Sequence, residues 1–294
     1  MKCLVIYNQK CGKQDVVKRL DIIVSTLKKK YDVVDKKASI FDGETRDMAR
    51  DACGKYDTLV VAGGDGTLHE VICGIAPMEN KPKIGIIPSG TINDVARSLK
   101  IPKDLEKALD IILKEKTVEH DLLKINGDYG IYASAMGLLT DISYKVSSKP
   151  KSKYGKFAYY FSIPKYLFKH SSIDGVFEIN EKSYNKKFSL MLFLNSRSVA
   201  GRRVDKENVI NDGKAKLIVF NSKNEKIKMS EILKIVNFFA FGMKKNTKKY
   251  EIFEIDKFKL KLKDEKNLNI DGEKIVGKDF SFEIINPGVQ IFAK

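Results

Sequence analysis

Thr58-Leu59-Val60-Val61-Ala62-Gly63-Gly64-Asp65-Gly66-Thr67-Leu68-His69-Glu70 is the stretch on which the fold turns. Thr58–Ala62 is a continuous apolar run, as in a strand covered on both faces. Gly63-Gly64 ends it at once, and Leu68–Ile75 resumes at helical spacing. A strand, a glycine turn and a helix in that order form the unit of an open parallel α/β sheet. Ligands of such sheets sit beyond the carboxyl ends of the strands. Successive N–H groups in the turn and the helix N-terminus make a site suited to phosphate. Asp65 cannot simply touch phosphate, because like charges repel; acting through Mg²⁺ or orienting the donors fits it better.

The same design recurs nearby. Ile84-Gly85-Ile86-Ile87 reads as a strand that ends in Pro88-Ser89-Gly90-Thr91, and Asn93-Asp94 opens a helix. Thr91 and Asn93 can donate to phosphate oxygens or cap that helix, and its dipole favours Asp94. A third polar turn, Asn8-Gln9-Lys10-Cys11-Gly12-Lys13, follows the apolar run Cys3–Asn8. Three such turns after three neighbouring strands can converge on one polyphosphate. Helical spacing also marks Val16–Lys30, Thr45–Cys53 and Leu105–Lys114, and Tyr31–Lys36 reads as a further strand.

After about residue 121 the texture changes to short β-like runs: Gly130–Ala135, Gly175–Ile179, Phe188–Leu194, Lys216–Phe220, Phe258–Leu262, Asn267–Ile270 and Asp279–Ile284. Helical segments interrupt them near Phe157–Phe168 and Ser230–Lys244. The expected class is therefore α/β. An open parallel-sheet domain over 1–121 precedes a mostly antiparallel β domain over 122–285, with no flexible linker between them.

The chain has 294 residues, ample for two cores, with 43% hydrophobic and 31% charged residues, which excludes a mainly disordered protein. Its formal net charge is +16, which suggests an anionic partner: nucleic acid, an anionic membrane or phosphorylated ligands. The longest uncharged stretch, Tyr129–Thr140, falls short of the roughly 20 residues of a spanning helix. The N-terminus has no signal-like apolar region. Cys3, Cys11, Cys53 and Cys73 lack metal or redox spacing and read as free thiols. His120 and His170 read as surface residues, and His69 sits just past the glycine turn.

Taken in order, the two glycine motifs, Tyr154–Tyr160, Asn211-Asp212-Gly213 and Asn269-Ile270-Asp271-Gly272-Glu273 resemble the diacylglycerol kinase catalytic-domain family. The similarity is strongest to the bacterial lipid kinases of the diacylglycerol and sphingosine kinase superfamily. It implies a Rossmann-like first domain, a β-sandwich second domain with the extreme C-terminus (about 286–294) packed back on the first, and a nucleotide cleft between them. It implies ATP-dependent transfer of the γ-phosphoryl group to a lipid hydroxyl, with diacylglycerol giving phosphatidic acid as the leading case. A sphingoid base, phosphatidylglycerol or NAD as acceptor stays open, as does a nucleotide-binding member without catalysis.

Carried over residue by residue, the resemblance places ATP against Asn8, Gly12, Ser39, Gly63, Gly64, Asp65, Gly66, Thr67, His69, Thr91 and Asn93. It gives Glu273 the general-base role with Asp271 beside it. Asp212, with the carbonyls of Val209 and Lys214, would hold a structural Mg²⁺. Asp65, Asp94 and Asp121 would form an acidic network around a second Mg²⁺. The chain departs from the family at Asn211, at Gln9 and across Val199–Arg203.

Two segments suit a membrane surface. Ile142–Ile173 has no acidic residue and interleaves lysines with aromatics, and Ile232–Lys245 is an apolar run that ends in Lys244-Lys245. The expected location is cytoplasmic, peripheral at the inner membrane face. The basic residues are dispersed and no nucleic-acid module is evident, so nucleic acid is not the expected partner. A homodimer is left open.

Overall fold

Four short apolar runs make the parallel part of the sheet: β1 (Lys2–Asn8), β2 (Val33–Ser39), β3 (Thr58–Gly63) and β4 (Lys83–Pro88), in the order β2-β1-β3-β4. Every residue of β3 is buried, as a parallel strand covered by helices requires. The helices of this half are α1 (Asp15–Lys18), α2 (Leu20–Leu27), α3 (Glu44–Ala52), α4 (Asp65–Ile75), α5 (Asp94–Ser98) and α6 (Leu105–Leu113). Parallel register brings the carboxyl ends of the strands level. Asn8 lies opposite Ser39, Tyr7 opposite Ala62, and Gly63 opposite Pro88.

The computed structural model describes residues 1–9, 15–41, 43–138, 140, 171–244 and 247–294. Gly12, the Tyr154–Tyr160 motif, the expected helix Phe157–Phe168, His170 and all of the basic stretch Ile142–Ile173 except its last three residues lie outside the described residues.

The rest of the chain is strand-rich: β5 (Thr117–Ile125), β6 (Asp128–Gly130), β7 (Ala133–Gly137), β8 (Ile173–Ile179), β9 (Lys182–Leu194), β10 (Ser198–Val199), β11 (Arg202–Arg203), β12 (Ala215–Asn221), β13 (Glu251–Ile255), β14 (Lys257–Ile270) and β15 (Glu273–Phe292), with one helix, α7 (Met229–Phe241). Strands β14, β7, β9 and β8 pair antiparallel in a closed circuit. Inside the circuit Phe177, Phe193, Phe258 and Phe282 pack ring on ring.

The chain is a mixed α/β protein, and its parallel and antiparallel ladders join into one 13-stranded sheet. The joint is β15. Its first half pairs with β14, its second half with β5, and Ile291 pairs in parallel with Ile84 of β4. Val289, Ile291 and Phe292 thereby pack in the same core as Val60, Ile72 and Ile84. A third core holds α7 against β9 and β12 through Ile232, Ile235 and Phe238. Among the described residues no helix is long and apolar enough to cross a membrane.

Candidate active site

The turns after β3 and β4 touch. A Cβ on Gly90 would lie 2.6 Å from the Gly64 Cα, and Ser89 N–H donates to Gly63 O at 2.9 Å. A Cβ on Gly63 would meet the Thr67 side chain at 2.5 Å. None of Gly63, Gly64, Gly66 and Gly90 has a positive φ. Gly63 and Gly90 therefore serve close approach, not an unusual backbone conformation. Gly66 opens onto free space at the start of α4, where backbone N–H groups have no intrahelical partner. Ser89 Oγ is buried between the turns and has no hydrogen-bond partner, as expected of a group that waits for a polar ligand.

Asp65 lies at the first residue of α4. Backbone N–H groups of Asp94, Val95 and Asn93 lie near enough to its carboxylate to favour its charge, which relates one glycine turn to the next helix. Burial pushes its pKa up, and those donors pull it back. Asn93 folds inward: its Oδ1 accepts Gly90 N–H at 3.1 Å and its Nδ2 donates to Gly90 O at 2.7 Å. It neither caps α5 nor faces outward, whereas Thr91 is exposed. Asp94 accepts Gly201 N–H at 3.0 Å, which fastens the β10–β11 hairpin to the second turn. Burial and then the neighbouring Asp65 raise its pKa to about 7.

Asp121 does not bond with Asp65 or Asp94, the carboxylates expected to join it around a Mg²⁺. Asp121 lies with the Asp212 loop: its Oδ2 accepts Gly213 N–H at 2.8 Å and its Oδ1 accepts from Asn286 Nδ2 at 2.7 Å. Asp212 Oδ1 accepts Lys214 N–H at 3.1 Å, closing a local turn, and Val209 is exposed beside it. Among the described residues no three His, Cys, Asp or Glu side chains cluster so as to hold a metal ion. No step is therefore assigned to a protein-bound metal.

His69 does not face the open edge of the glycine turns. It is 4% exposed; its Nδ1 is 3.3 Å from Asp271 Oδ2, and its Nε2 is 3.4 Å from Cys73 Sγ. Burial alone would lower its pKa, but the bonds to Asp271 and Cys73 prevail and raise it to about 10. The charged ring then donates through both nitrogens, and Cys73 Sγ donates to Tyr129 O at 3.3 Å.

Asp271 is likewise not an open base. It is buried, and its carboxylate accepts N–H groups of Ile131 (2.5 Å), Tyr132 (3.0 Å) and Ala133 (3.0 Å) besides His69. Asp271 and Gly272 have φ of 51° and 105°, the positive pair that a two-residue type I′ hairpin demands between β14 and β15. Glu273, one residue further, is exposed. Ser39 and Thr67 sit at the strand ends but are buried, Thr67 beneath Gly63. His120, read as a surface residue, is fully buried; burial lowers its pKa to about 4 and leaves a neutral ring.

Tyr132, half-buried, donates its N–H to Asp271 and lies within the electrostatic reach of both glycine turns. Burial first, then the carboxylates of Asp271, Asp65, Asp94 and Glu273, hold its phenol well above the usual range.

A family model described as the diacylglycerol kinase catalytic domain matches residues 2–125. A diacylglycerol kinase of Staphylococcus epidermidis is 32% identical over 272 residues, 92% of this chain and 84% of that protein. This chain belongs to the diacylglycerol kinase family. A diacylglycerol kinase of Bacillus subtilis is 29% identical over 272 residues, covering 92% of this chain and 88% of its own. A solved diacylglycerol kinase structure from Bacillus anthracis matches the fold with a TM-score of 0.80, over 100% of this chain and 97% of that one, at 20% identity.

In this diacylglycerol kinase family member, sequence reading passed over Ser89, Tyr132 and the amides of Ile131–Ala133. The only local signal was Gly130, where a Cβ would meet Ile270 at 2.5 Å and Asp271 at 3.0 Å.

Proposed function

We propose that the chain is an ATP-dependent lipid kinase that phosphorylates the hydroxyl of diacylglycerol to give phosphatidic acid. The observation that carries this reading is that the two glycine turns abut at Gly64 and Gly90, while His69, on the helix that follows the first turn, pairs with Asp271 of the Asp271-Gly272-Glu273 hairpin. Phosphoryl transfer asks little covalent chemistry of the protein and much positioning. N–H groups at the start of α4, with Ser89 Oγ, would hold the phosphates along the shared edge of β3 and β4. Asp65 and Asp94 keep the two turns in register. Mg²⁺ travelling with ATP supplies charge neutralisation on the phosphates.

The lipid hydroxyl oxygen forms a bond to the γ-phosphorus as the bond to the β-bridging oxygen breaks, and ADP leaves. Glu273 takes the hydroxyl proton. Asp271, held by four donors, sets the hairpin from which Glu273 projects. The acceptor lies between the part of the chain before residue 122 and the β-rich part after it, at the inner face of the membrane.

The test is transfer of labelled phosphate from ATP to a panel of hydroxyl lipids in mixed micelles. Diacylglycerol should be the best acceptor. Glu273→Gln should lower its rate by roughly 10²–10⁴, the scale of general-base catalysis, with ATP affinity nearly unchanged. Near-normal turnover in that variant would remove Glu273 from the base role. Absence of transfer to any lipid would end the kinase reading.

A further inference from the structure

Helix α7 carries apolar side chains on its core face and on a neighbouring exposed face. Ile232, Ile235 and Phe238 face the core. Met229, Leu233, Val236 and Phe241 face outward and are 49%, 54%, 48% and 75% exposed. Positions 229, 233 and 236 form one stripe at helical spacing, and Ala240 continues it one turn further. A contiguous outward apolar stripe marks an interaction surface.

The charges around the stripe have one sign. Between Lys226 and Lys249 lie Lys226, Lys228, Lys234, Lys244, Lys245, Lys248 and Lys249, against a single acid, Glu231. Glu231 is 7% exposed and turned inward, where its carboxylate accepts from Ser222 Oγ at 3.2 Å. No carboxylate of the segment therefore opposes an anionic partner. At the C-terminal end Phe241, Lys234, Lys244 and Lys249 line one shallow groove. Lysines of this kind lay their stems along apolar surface and keep the ammonium at the polar boundary.

The helix is also tied to the phosphate turns. Met243 N–H donates to Val204 O at 2.6 Å, just after the exposed pair Arg202-Arg203 of β11. The tip of that β10–β11 hairpin, Gly201, is the donor to Asp94.

We propose that the outer face of α7 is a docking surface for an anionic lipid bilayer. The helix lies in the plane of the interface with Met229, Leu233, Val236 and Phe241 in the acyl boundary and the lysines among the headgroups. At 13 residues it is about 20 Å long, too short to cross a bilayer and long enough to lie on one. The occupant is committed by charge: a neutral apolar partner would not need seven lysines, and a basic one would be repelled. This assignment rests on the lipid-kinase reading for its purpose but not for its test.

The test is co-sedimentation of the full chain with vesicles of phosphatidylglycerol and phosphatidylcholine. Leu233→Asp with Phe241→Asp should weaken binding by at least about tenfold, since both side chains leave the acyl boundary. Lys244→Glu with Lys249→Glu should weaken binding to these vesicles and leave binding to pure phosphatidylcholine unchanged. Ile22→Asp, equally exposed at 51% but on α2, should change binding less than about twofold. All variants alter exposed side chains, and unchanged melting temperatures will show that they fold.

Turnover is measured in parallel on a short-chain diacylglycerol dispersed as monomers. Lost vesicle binding with normal turnover on the monomeric acceptor supports docking and the kinase reading together. Lost vesicle binding in a chain with no turnover on any acceptor supports docking and ends the kinase reading alone. Vesicle binding that survives both double substitutions overturns the assignment. So does a chain that sediments as a dimer and becomes a monomer in Leu233→Asp/Phe241→Asp with vesicle binding intact, because the face would then be an interface between copies.

Discussion

Replacing His69 by Leu removes one half of a buried pair and leaves Asp271 with its three backbone donors. Removing one partner of a buried ion pair costs roughly 3–5 kcal/mol, because the other charge stays buried. The remaining N–H groups place this case near the lower end, at about 3 kcal/mol. For a chain of this size that lowers the melting temperature by roughly 6–12 °C. The loss should depend on pH. The His69 pKa is raised from 6.5 to about 10, so the imidazolium contributes fully below pH 6.5, and its contribution fades as pH rises through about 10. Scanning calorimetry of both proteins at pH 6, 8 and 10 reads this directly. The gap in melting temperature should be widest at pH 6 and nearly closed at pH 10. His69→Gln should recover part of the stability with no such pH trend. A gap of equal size at every pH, or no gap, would refute a charged His69–Asp271 clamp.

Gly90→Ala forces a methyl against the Gly64 Cα and should cost about 1–3 kcal/mol together with ATP affinity, while Gly66→Ala, which opens onto free space, should cost little stability. Isothermal titration with ATP beside a urea melt checks both, and a Gly90→Ala chain with parental values would show that the turns do not abut. Asp94→Asn should gain stability relative to the parent as pH rises. Burial raises the Asp94 pKa from 3.8 to about 7, so its contribution is present below pH 3.8 and lost as pH rises through about 7. Urea melts at pH 5 and pH 8 should show that shift, and an identical difference at both would exclude a buried, weakly acidic Asp94.

The parallel edge was legible because its signals are local: an apolar run, glycines and a helical period fit within the thirteen residues Thr58–Glu70. The work of the carboxylates was not, because their partners are remote. Asp94 bonds Gly201 across 107 residues, and His69 meets Asp271 across 202. The family resemblance grouped Asp121 with Asp65 and Asp94, whereas the fold turns Asp121 toward Gly213 and Asn286. Reading Phe258–Leu262 and Asn267–Ile270 as separate strands missed that β14 runs through both, with its register shift between Lys261 and Lys266 hidden in a charged run. The Asp271-Gly272 dipeptide carried two meanings at once, a type I′ turn and a buried anchor, and only the turn is written locally.

Strand β4 finds a parallel neighbour in β15 only at Ile291, so a core begun near the start of the chain is finished by a segment made 207 residues after Ile84. During synthesis the half-built sheet must wait with an open edge, and such edges invite pairing with other chains. Closing so long a loop is also slow, since its entropy is lost before the new contacts form. Refolding should therefore show an early phase confined to β1–β3 and a late one in which β4, β5 and β15 acquire hydrogen-exchange protection together. The nucleotide edge, built on β3 and β4, would become competent only in that last phase, and a nascent chain would stay silent until its final strand is in place.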